Sequence, residues 1–259
     1  MEIFDVLRDA IRAEAPVALA TVIEGPGTGG KLLVRPDLEP LGTLGDPDLD
    51  RVVARDTLGE LAAGTTGVRH YGPQGQANES DVAVFVESFA PPPQLLVFGA
   101  VDFTGALARV GKVLGYRVTV CDAREVFATK ARFPFADEVV VDWPHRLLER
   151  VGDQLGPRDA VCVLTHDPKF DVPAVLAALR TDVGYLGAMG SRRTTDDRNR
   201  RLREEGVSDE ELRRVMAPIG LDIGARTPEE TAVSILAEVI ATRTGRGAPS
   251  LRDADGPIH

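Results

Sequence analysis

The chain has 259 residues, of which 43% are hydrophobic and 27% charged, as is ordinary for a globular protein of one large domain or two small ones. Its formal net charge of -10 argues against nucleic acid as the main partner, because phosphate neutralisation needs a basic surface. Two cysteines are too few for a disulfide framework, and no apolar stretch approaches the roughly 20 residues that a membrane span needs. No N-terminal stretch has the pattern of a secretory leader, so we expect a cytoplasmic protein with no membrane partner.

The first part of the chain ends at Pro91-Pro92-Pro93, a run that can neither continue a helix nor donate hydrogen bonds within a sheet. We therefore predict a linker over residues 91–94, preceded by a small α/β domain over residues 1–90. Hydrophobic periodicity predicts helices in that domain over 2–14 and 47–63, and strands over 17–24, 31–35 and 82–88.

After the linker, strand and helix patterns alternate. The predicted strands cover 95–98, 117–121, 138–141, 160–164 and 184–188, and the predicted helices cover 102–114, 144–154, 171–181, 193–205, 208–216 and 228–242. This alternation predicts an α/β fold, a Rossmann-like doubly wound parallel sheet over residues 95–243, followed by a flexible tail over 244–259. Ligands of such sheets bind outside the carboxyl ends of the strands.

The first strand–helix turn of this domain resembles a degraded dinucleotide site. The run begins at Gly99, but Val101 and Thr104 stand where the glycine fingerprint has its second and third glycines. Asp102 would repel a pyrophosphate, whereas Asp122 ends the second strand where such folds place a ribose-binding acid. The pattern favours a degenerate nucleotide site over a turn that only closes the fold, and it predicts weak NAD(P) binding.

A polar segment follows the fourth predicted strand. His166 could donate or accept a proton, Asp167 could orient it, and Lys169 could contact a phosphate. Asp171 is predicted to cap the next helix. A ligand role for His166 and a solvated loop position are both open.

Glycine, serine and two arginines follow the fifth strand and open a helix. Backbone N–H groups at a helix start, together with Ser191, Arg192 and Arg193, would form an anion cradle after Gly190. The alternative is that Ser191 caps the helix while both arginines pair with surface acids. Further on, Asp222 lies between two glycine turns, and we expect it to be a buried acid. It either faces the same ligand or belongs to a turn shaped for packing.

Two further features predict structure more than chemistry. Residues 25–31 match the glycine and lysine spacing of a P-loop, but Leu32 replaces the Ser or Thr and a strand follows. We predict a hairpin with a phosphate-capable Lys31. Cys121 and Cys162 lie in or at the end of predicted buried strands, as inert packing cysteines do.

Residues 186–193 and 218–230, with 117–124 and 132–138, resemble the XdhC/CoxI family, whose members are accessory factors of molybdenum hydroxylases such as xanthine dehydrogenase. The resemblance covers roughly residues 95–242. It implies a chaperone, more than an enzyme, that binds the molybdenum cofactor, supports its maturation and inserts it into an apoenzyme of the xanthine dehydrogenase or CO dehydrogenase type. It also implies a cysteine desulfurase and a second copy of the chain as further partners.

The chain departs from that family at two places. The N-terminal domain of the family usually has a glycine-rich turn ending in cysteine, whereas residues 1–90 contain no cysteine here. The first strand–helix turn lacks the family's second glycine and its histidine. Two other functions therefore stay open, an NAD(P)-dependent oxidoreductase of small molecules and a partner-binding regulator that has lost its ligand. With no catalytic residue and no metal ligand predicted, the predicted cofactor-binding residues are Gly99, Asp122, His166, Asp167, Gly190, Ser191, Arg192, Arg193 and Asp222.

Overall fold

The structure is a computed structural model that describes residues 2–77, 79–165 and 167–254. It divides into two compact units, residues 1–91 and 92–259. Among the described residues, every helix is too short or too polar to cross a membrane.

The N-terminal unit is a five-stranded antiparallel sheet with a helix on each face. Its strands are β1 (Val17–Glu24), β2 (Lys31–Arg35), β3 (Leu38–Thr43), β4 (Gly67–Tyr71) and β5 (Val82–Phe89), in the order β3-β2-β1-β5-β4. Helix α1 (Ile3–Arg12) packs on one face, and α2 (Pro47–Ala63) covers the other, starting from an Asp46 cap. The sequence did not predict β3 and β4, because both are edge strands with mostly exposed side chains and no apolar run.

The C-terminal unit is a six-stranded parallel sheet with helices on both faces. Its strands are β6 (Gln94–Phe98), β7 (Arg117–Cys121), β8 (Glu138–Val140), β9 (Ala160–Val163), β10 (Tyr185–Ala188) and β11 (Val215–Met216). The helices are α3 (Asp102–Val113), α4 (Pro144–Val151), α5 (Pro168–Leu179), α6 (Arg192–Glu204), α7 (Asp209–Leu212) and α8 (Pro228–Thr244). The sheet order β11-β10-β9-β6-β7-β8 confirms the predicted doubly wound Rossmann-like fold.

The topology places its switch point between β6 and β9, which are neighbours in the sheet. From there the chain winds outward through β7 and β8 in one direction and through β10 and β11 in the other. Helices α3 and α8 pack on one face, while α4, α5, α6 and α7 cover the opposite face. The crevice at such a switch point is where ligands of this fold class bind.

Two predictions about the helices of this unit were wrong. The predicted helix 208–216 is a single turn, α7, followed by the edge strand β11, because a capping box at Ser208 starts the turn and Val215 pairs with β10. Asp171 does not cap α5. The cap is Asp167, whose carboxylate accepts a hydrogen bond from the Lys169 N–H at 3.1 Å, so Asp171 lies inside the first turn and is buried.

Candidate functional site

Gly99 lets the first strand–helix turn approach the end of β9. Its φ of +112° lies in the region that favours glycine, and a Cβ there would lie 2.9 Å from Thr165 Cγ2 and 3.1 Å from the Thr165 backbone nitrogen. The turn is closed by the buried Thr104, whose hydroxyl donates to the Gly99 carbonyl. The predicted site residue Gly99 thus has a steric role at the switch point.

We expect Gly99→Ala to lower the free energy of unfolding by about 2 kcal/mol, since it adds backbone strain and a close contact with β9. Gly105 is the matched control. It lies within α3, and apart from its own helix backbone no described atom lies within 4 Å of an added Cβ, so Gly105→Ala should stabilise the protein by about 0.5–1 kcal/mol. Urea unfolding measures the change in the free energy of unfolding of each variant. Equal changes of the same sign would contradict the prediction.

Asp122 anchors the same turn from β7. One carboxylate oxygen accepts the Ala100 N–H at 2.7 Å, and both receive donors from Arg124, including its guanidinium at 2.7 and 2.9 Å. Burial opposes ionisation, but the hydrogen bonds from Arg124 and Ala100 outweigh it and lower the pKa of Asp122. Both oxygens of this predicted ribose-binding acid are therefore engaged by the chain itself.

Two arginines flank the first turn on its exposed side. The guanidinium carbons of Arg124 and Arg132 lie 4.8 and 5.5 Å from the centre of the Phe127 ring, within cation–π range. Arg132 also donates to the carbonyls of Ala100 and Phe127, at 3.2 Å each. No sequence pattern predicted a role for these two residues, although both lie in segments that carried the family resemblance.

The loop after β9 brings Asp167 to the same edge of the sheet. Its carboxylate accepts from the backbone of Lys169 and forms an ion pair with Lys169 Nζ at 3.2 Å. These contacts, the backbone hydrogen bond first, lower the pKa of Asp167. The predicted site residue His166 lies outside the described residues, so its role stays a prediction.

The segment Gly190–Arg193 follows β10 at the carboxyl edge. Ser191 is the N-cap of α6, since its hydroxyl accepts the Thr194 N–H at 3.2 Å. Arg192 and Arg193 are both exposed, and within the described part of the chain neither guanidinium forms an ion pair or hydrogen bond. The alternative in which both arginines pair with surface acids is therefore not seen, and their guanidiniums are open to a ligand.

Behind this segment lies a buried ion pair that the sequence analysis did not identify. Arg198 Nη1 of α6 lies 3.5 Å from Asp171 Oδ2 of α5 and donates to the Met189 carbonyl at 3.0 Å. The two side chains are 1% and 3% exposed. A cavity of roughly 170 Å³ adjoins the pair, and the described residues that line it are Pro168, Asp171, Val172, Arg193, Thr194, Asp197, Arg198 and Arg201.

Asp222 is exposed, so the expectation of a buried acid between the glycine turns was wrong. The acid that organises this segment is Glu238 of α8, which accepts from the Tyr185 hydroxyl at 2.5 Å and from the Gly220 N–H at 2.8 Å. Gly220 has a φ of +97°, and an added Cβ would lie 2.5 Å from Ser234 Oγ. The segment thus packs closely on α8, and a ligand role for Asp222 stays a prediction.

Neither cysteine offers a reactive thiolate. Cys121 is buried and donates to the Asp142 carbonyl at 3.2 Å, and burial raises the pKa of its thiol to about 12. Cys162 is also fully buried, and burial raises the pKa of its thiol further. Among the described residues, no group of three His, Cys, Asp or Glu side chains could hold a metal ion.

In the N-terminal unit the predicted hairpin at residues 25–31 is confirmed, because β1 and β2 pair in antiparallel register around it. Lys31 Nζ donates to Thr21 Oγ1 at 3.1 Å on the neighbouring strand. Lys31 begins strand β2 rather than a helix, so the segment lacks the helix start that a P-loop requires.

Comparison with known proteins gives this geometry its context. A family model described as the XdhC Rossmann domain matches residues 95–239, and one described as the XdhC and CoxI family matches residues 10–72. The chain belongs to the XdhC/CoxI family. The matched residues include strands β6 to β11 and most of α8, and so every segment of the carboxyl edge described above.

Two relatives and one solved structure illustrate the family. A protein of Bacillus subtilis described as a probable xanthine dehydrogenase subunit is 33% identical over 62% of this chain and 46% of its own length. The molybdenum cofactor insertion chaperone PaoD of Escherichia coli is 30% identical over 61% of this chain and 43% of its own length. This chain thus spans less than half of either relative. A crystal structure described as a xanthine dehydrogenase from Bacillus halodurans shares the fold at a TM-score of 0.56 and 21% identity, covering 96% of this chain and 98% of that one.

Proposed function

We propose that this protein binds the molybdenum cofactor and assists its maturation and insertion into a molybdenum hydroxylase of the xanthine dehydrogenase or CO dehydrogenase type. Family membership and the relative named as an insertion chaperone support the accessory role. The observation that carries the proposal is the pair of exposed guanidiniums, Arg192 and Arg193, at the start of α6 and at the ligand-binding edge of the sheet.

The residues at this edge fit the phosphate of the cofactor. Guanidiniums carry only donors in a planar fork that matches a phosphate, and the positive end of a helix adds to their field. In the proposed complex Arg192 and Arg193 hold the phosphate, with Gly190 and Ser191 shaping the helix start. The cofactor would supply the metal centre of the target enzyme. This chain would bind the cofactor and orient it before insertion.

The cysteines do not support a sulfur relay through this chain. Both thiols are buried, and the pKa of each is raised well above neutral pH. We therefore propose delivery as the chain's own task, with any sulfur passed directly from a desulfurase to the bound cofactor. A desulfurase and a second copy of the chain stay predictions.

The second candidate function is an NAD(P)-dependent oxidoreductase, which the Rossmann-like sheet order favours. The first turn opposes it. Val101 stands where the fingerprint has glycine, and the Asp122 carboxylate already accepts hydrogen bonds from Ala100 and Arg124. A ribose would have to replace at least one of these contacts.

The deciding experiment compares protein purified from two hosts, one that makes the molybdenum cofactor and one that cannot. We expect mass spectrometry and absorbance to find a pterin and molybdenum only in protein from the first host. Isothermal titration with NAD(P) should give dissociation constants no tighter than the high micromolar range. Low-micromolar NAD(P) binding with no bound pterin would reverse the ranking of the two functions.

A further inference from the structure

The cavity between α5 and α6 is bordered by a buried arginine whose donors are largely unused. Arg198 is 2% exposed, and one of its three nitrogens, Nη1, contacts Asp171 and Met189. Among the described residues, its Nε and Nη2 have no hydrogen-bond partner. A buried guanidinium N–H without an acceptor is unfavourable, so these two donors indicate a missing acceptor.

Further donors face the same space. Arg193 and Arg201 line the cavity with Arg198, and the buried Nε of Arg201 also lacks a partner within the described part of the chain. Arg193 precedes Arg198 on α6 and Arg201 follows it, so all three arginines of the lining come from one helix. Because guanidiniums have no acceptor, only an acceptor-rich guest can satisfy them.

The charges of the lining favour an anion. The lining has three arginines and two carboxylates. Asp171 Oδ2 lies 3.5 Å from Arg198 and Asp197 pairs with Arg200 at 3.2 Å, while among the described residues Asp171 Oδ1 has no hydrogen-bond partner. The net formal charge of the lining is therefore +1. The first turns of α5 and α6 also border the cavity, and the positive ends of their helix dipoles add to the field.

The volume suits a small ion. A water molecule takes up about 30 Å³ of liquid, so a cavity of roughly 170 Å³ has room for a central atom with four oxygens. The oxygens of such an ion point in different directions. They can therefore accept hydrogen bonds from three separate side chains at once. A chain of waters would fill the space but would leave the positive charge of the lining without a counterion.

We propose that the α5–α6 cavity is a binding subsite for a tetrahedral oxyanion, held by Arg193, Arg198 and Arg201. The ion is either free, as inorganic phosphate or molybdate is, or the phosphate ester of a larger ligand. The subsite stands on its own geometry and does not require the proposed cofactor function. Where a phosphorylated pterin is the ligand, its phosphate enters from the Arg193 side, since Arg193 is exposed whereas Arg198 is buried.

The test is isothermal titration calorimetry of the full chain, with inorganic phosphate in one titration and molybdate in the other. Arg193→Ala and Arg201→Met should each weaken binding about tenfold, as loss of one charge-assisted contact predicts. The matched control is Arg203→Ala, which removes the same charge from an exposed position of α6. Arg203 pairs with Asp209 and is not among the described lining residues, so this variant should bind as the unaltered protein does. Asp197→Asn removes a negative charge from the wall and should tighten binding about twofold.

Three outcomes would overturn the subsite. They are no binding of either anion, equal affinity in Arg193→Ala, Arg201→Met and the control Arg203→Ala, and weaker binding in Asp197→Asn. Competition then identifies the source of the ion. If phosphate displaces a phosphorylated pterin, the ester occupies the cavity, and if both bind together, the cavity takes the free ion. Phosphate binding without any pterin binding would support the subsite while contradicting the proposed function.

Discussion

Arg198→Met should lower the free energy of unfolding by about 3–5 kcal/mol, because it leaves the Asp171 carboxylate buried without its counterion. Burial already raises the pKa of Asp171, even with Arg198 beside it. In the variant that pKa should rise further. The loss in the free energy of unfolding should therefore be complete at pH values above the pKa of Asp171 in the folded variant. It should shrink as the pH falls through that pKa toward about 3.9, the pKa of an aspartate in the unfolded chain.

The double variant Arg198→Met with Asp171→Leu is the sharpest control. Replacing a buried ion pair by apolar side chains of similar volume is often neutral, so the double variant should recover most of the lost stability. Arg200 is exposed and forms ion pairs with Asp197 and Glu204. Arg200→Met should therefore change the free energy of unfolding by about 0.5 kcal/mol or less. Urea unfolding at several pH values measures all three. If the single and double variants were equally unstable, the buried charge would not be the cause.

Arg192→Ala combined with Arg193→Ala should weaken the binding of a phosphorylated pterin about a hundredfold. The loss of two charge-assisted contacts should cost on the order of 3 kcal/mol, which converts to that factor. Both side chains are exposed, so the fold should be intact. Fluorescence titration of the pterin measures the affinity, and circular dichroism checks the fold.

The control for this pair lies on the same helix. Arg200→Ala with Arg203→Ala removes the same charge from α6, but both arginines already pair with acids near the helix end, Arg200 with Glu204 and Arg203 with Asp209. Pterin affinity should hardly change in that variant. Equal losses in the two double variants would show a general charge effect, and unchanged binding in the first would leave Arg192 and Arg193 as surface charges.

Local patterns in the sequence predicted most of the C-terminal fold. The strand Arg117–Cys121 and the capping box of Thr227 and Glu230 both occur as predicted. Such features depend on residues within one or two turns of each other. A capping box needs four consecutive positions, and a buried parallel strand needs only a short apolar run. The alternation of these elements was then enough to predict the doubly wound sheet.

The edge elements were harder to predict for a physical reason. An edge strand such as β4 pairs on one side only and keeps most side chains in water, so it has no hydrophobic pattern to detect. The same holds for α7 and β11, which are short and depend on neighbours. Asp171 was mistaken for a cap because Asp167, four residues earlier, has the same chemistry and starts the helix first.

The sequence by itself determined the fold class, the family and the candidate arginines at the start of α6. Only the tertiary structure decided which acids and bases meet. Asp171 and Arg198 are 27 residues apart, and Tyr185 and Glu238 are 53 apart. No local pattern reports such pairs, because their contact arises from the packing of helices on the sheet. For the same reason only the structure separates Arg193, which lines the α5–α6 cavity, from its neighbour Arg192.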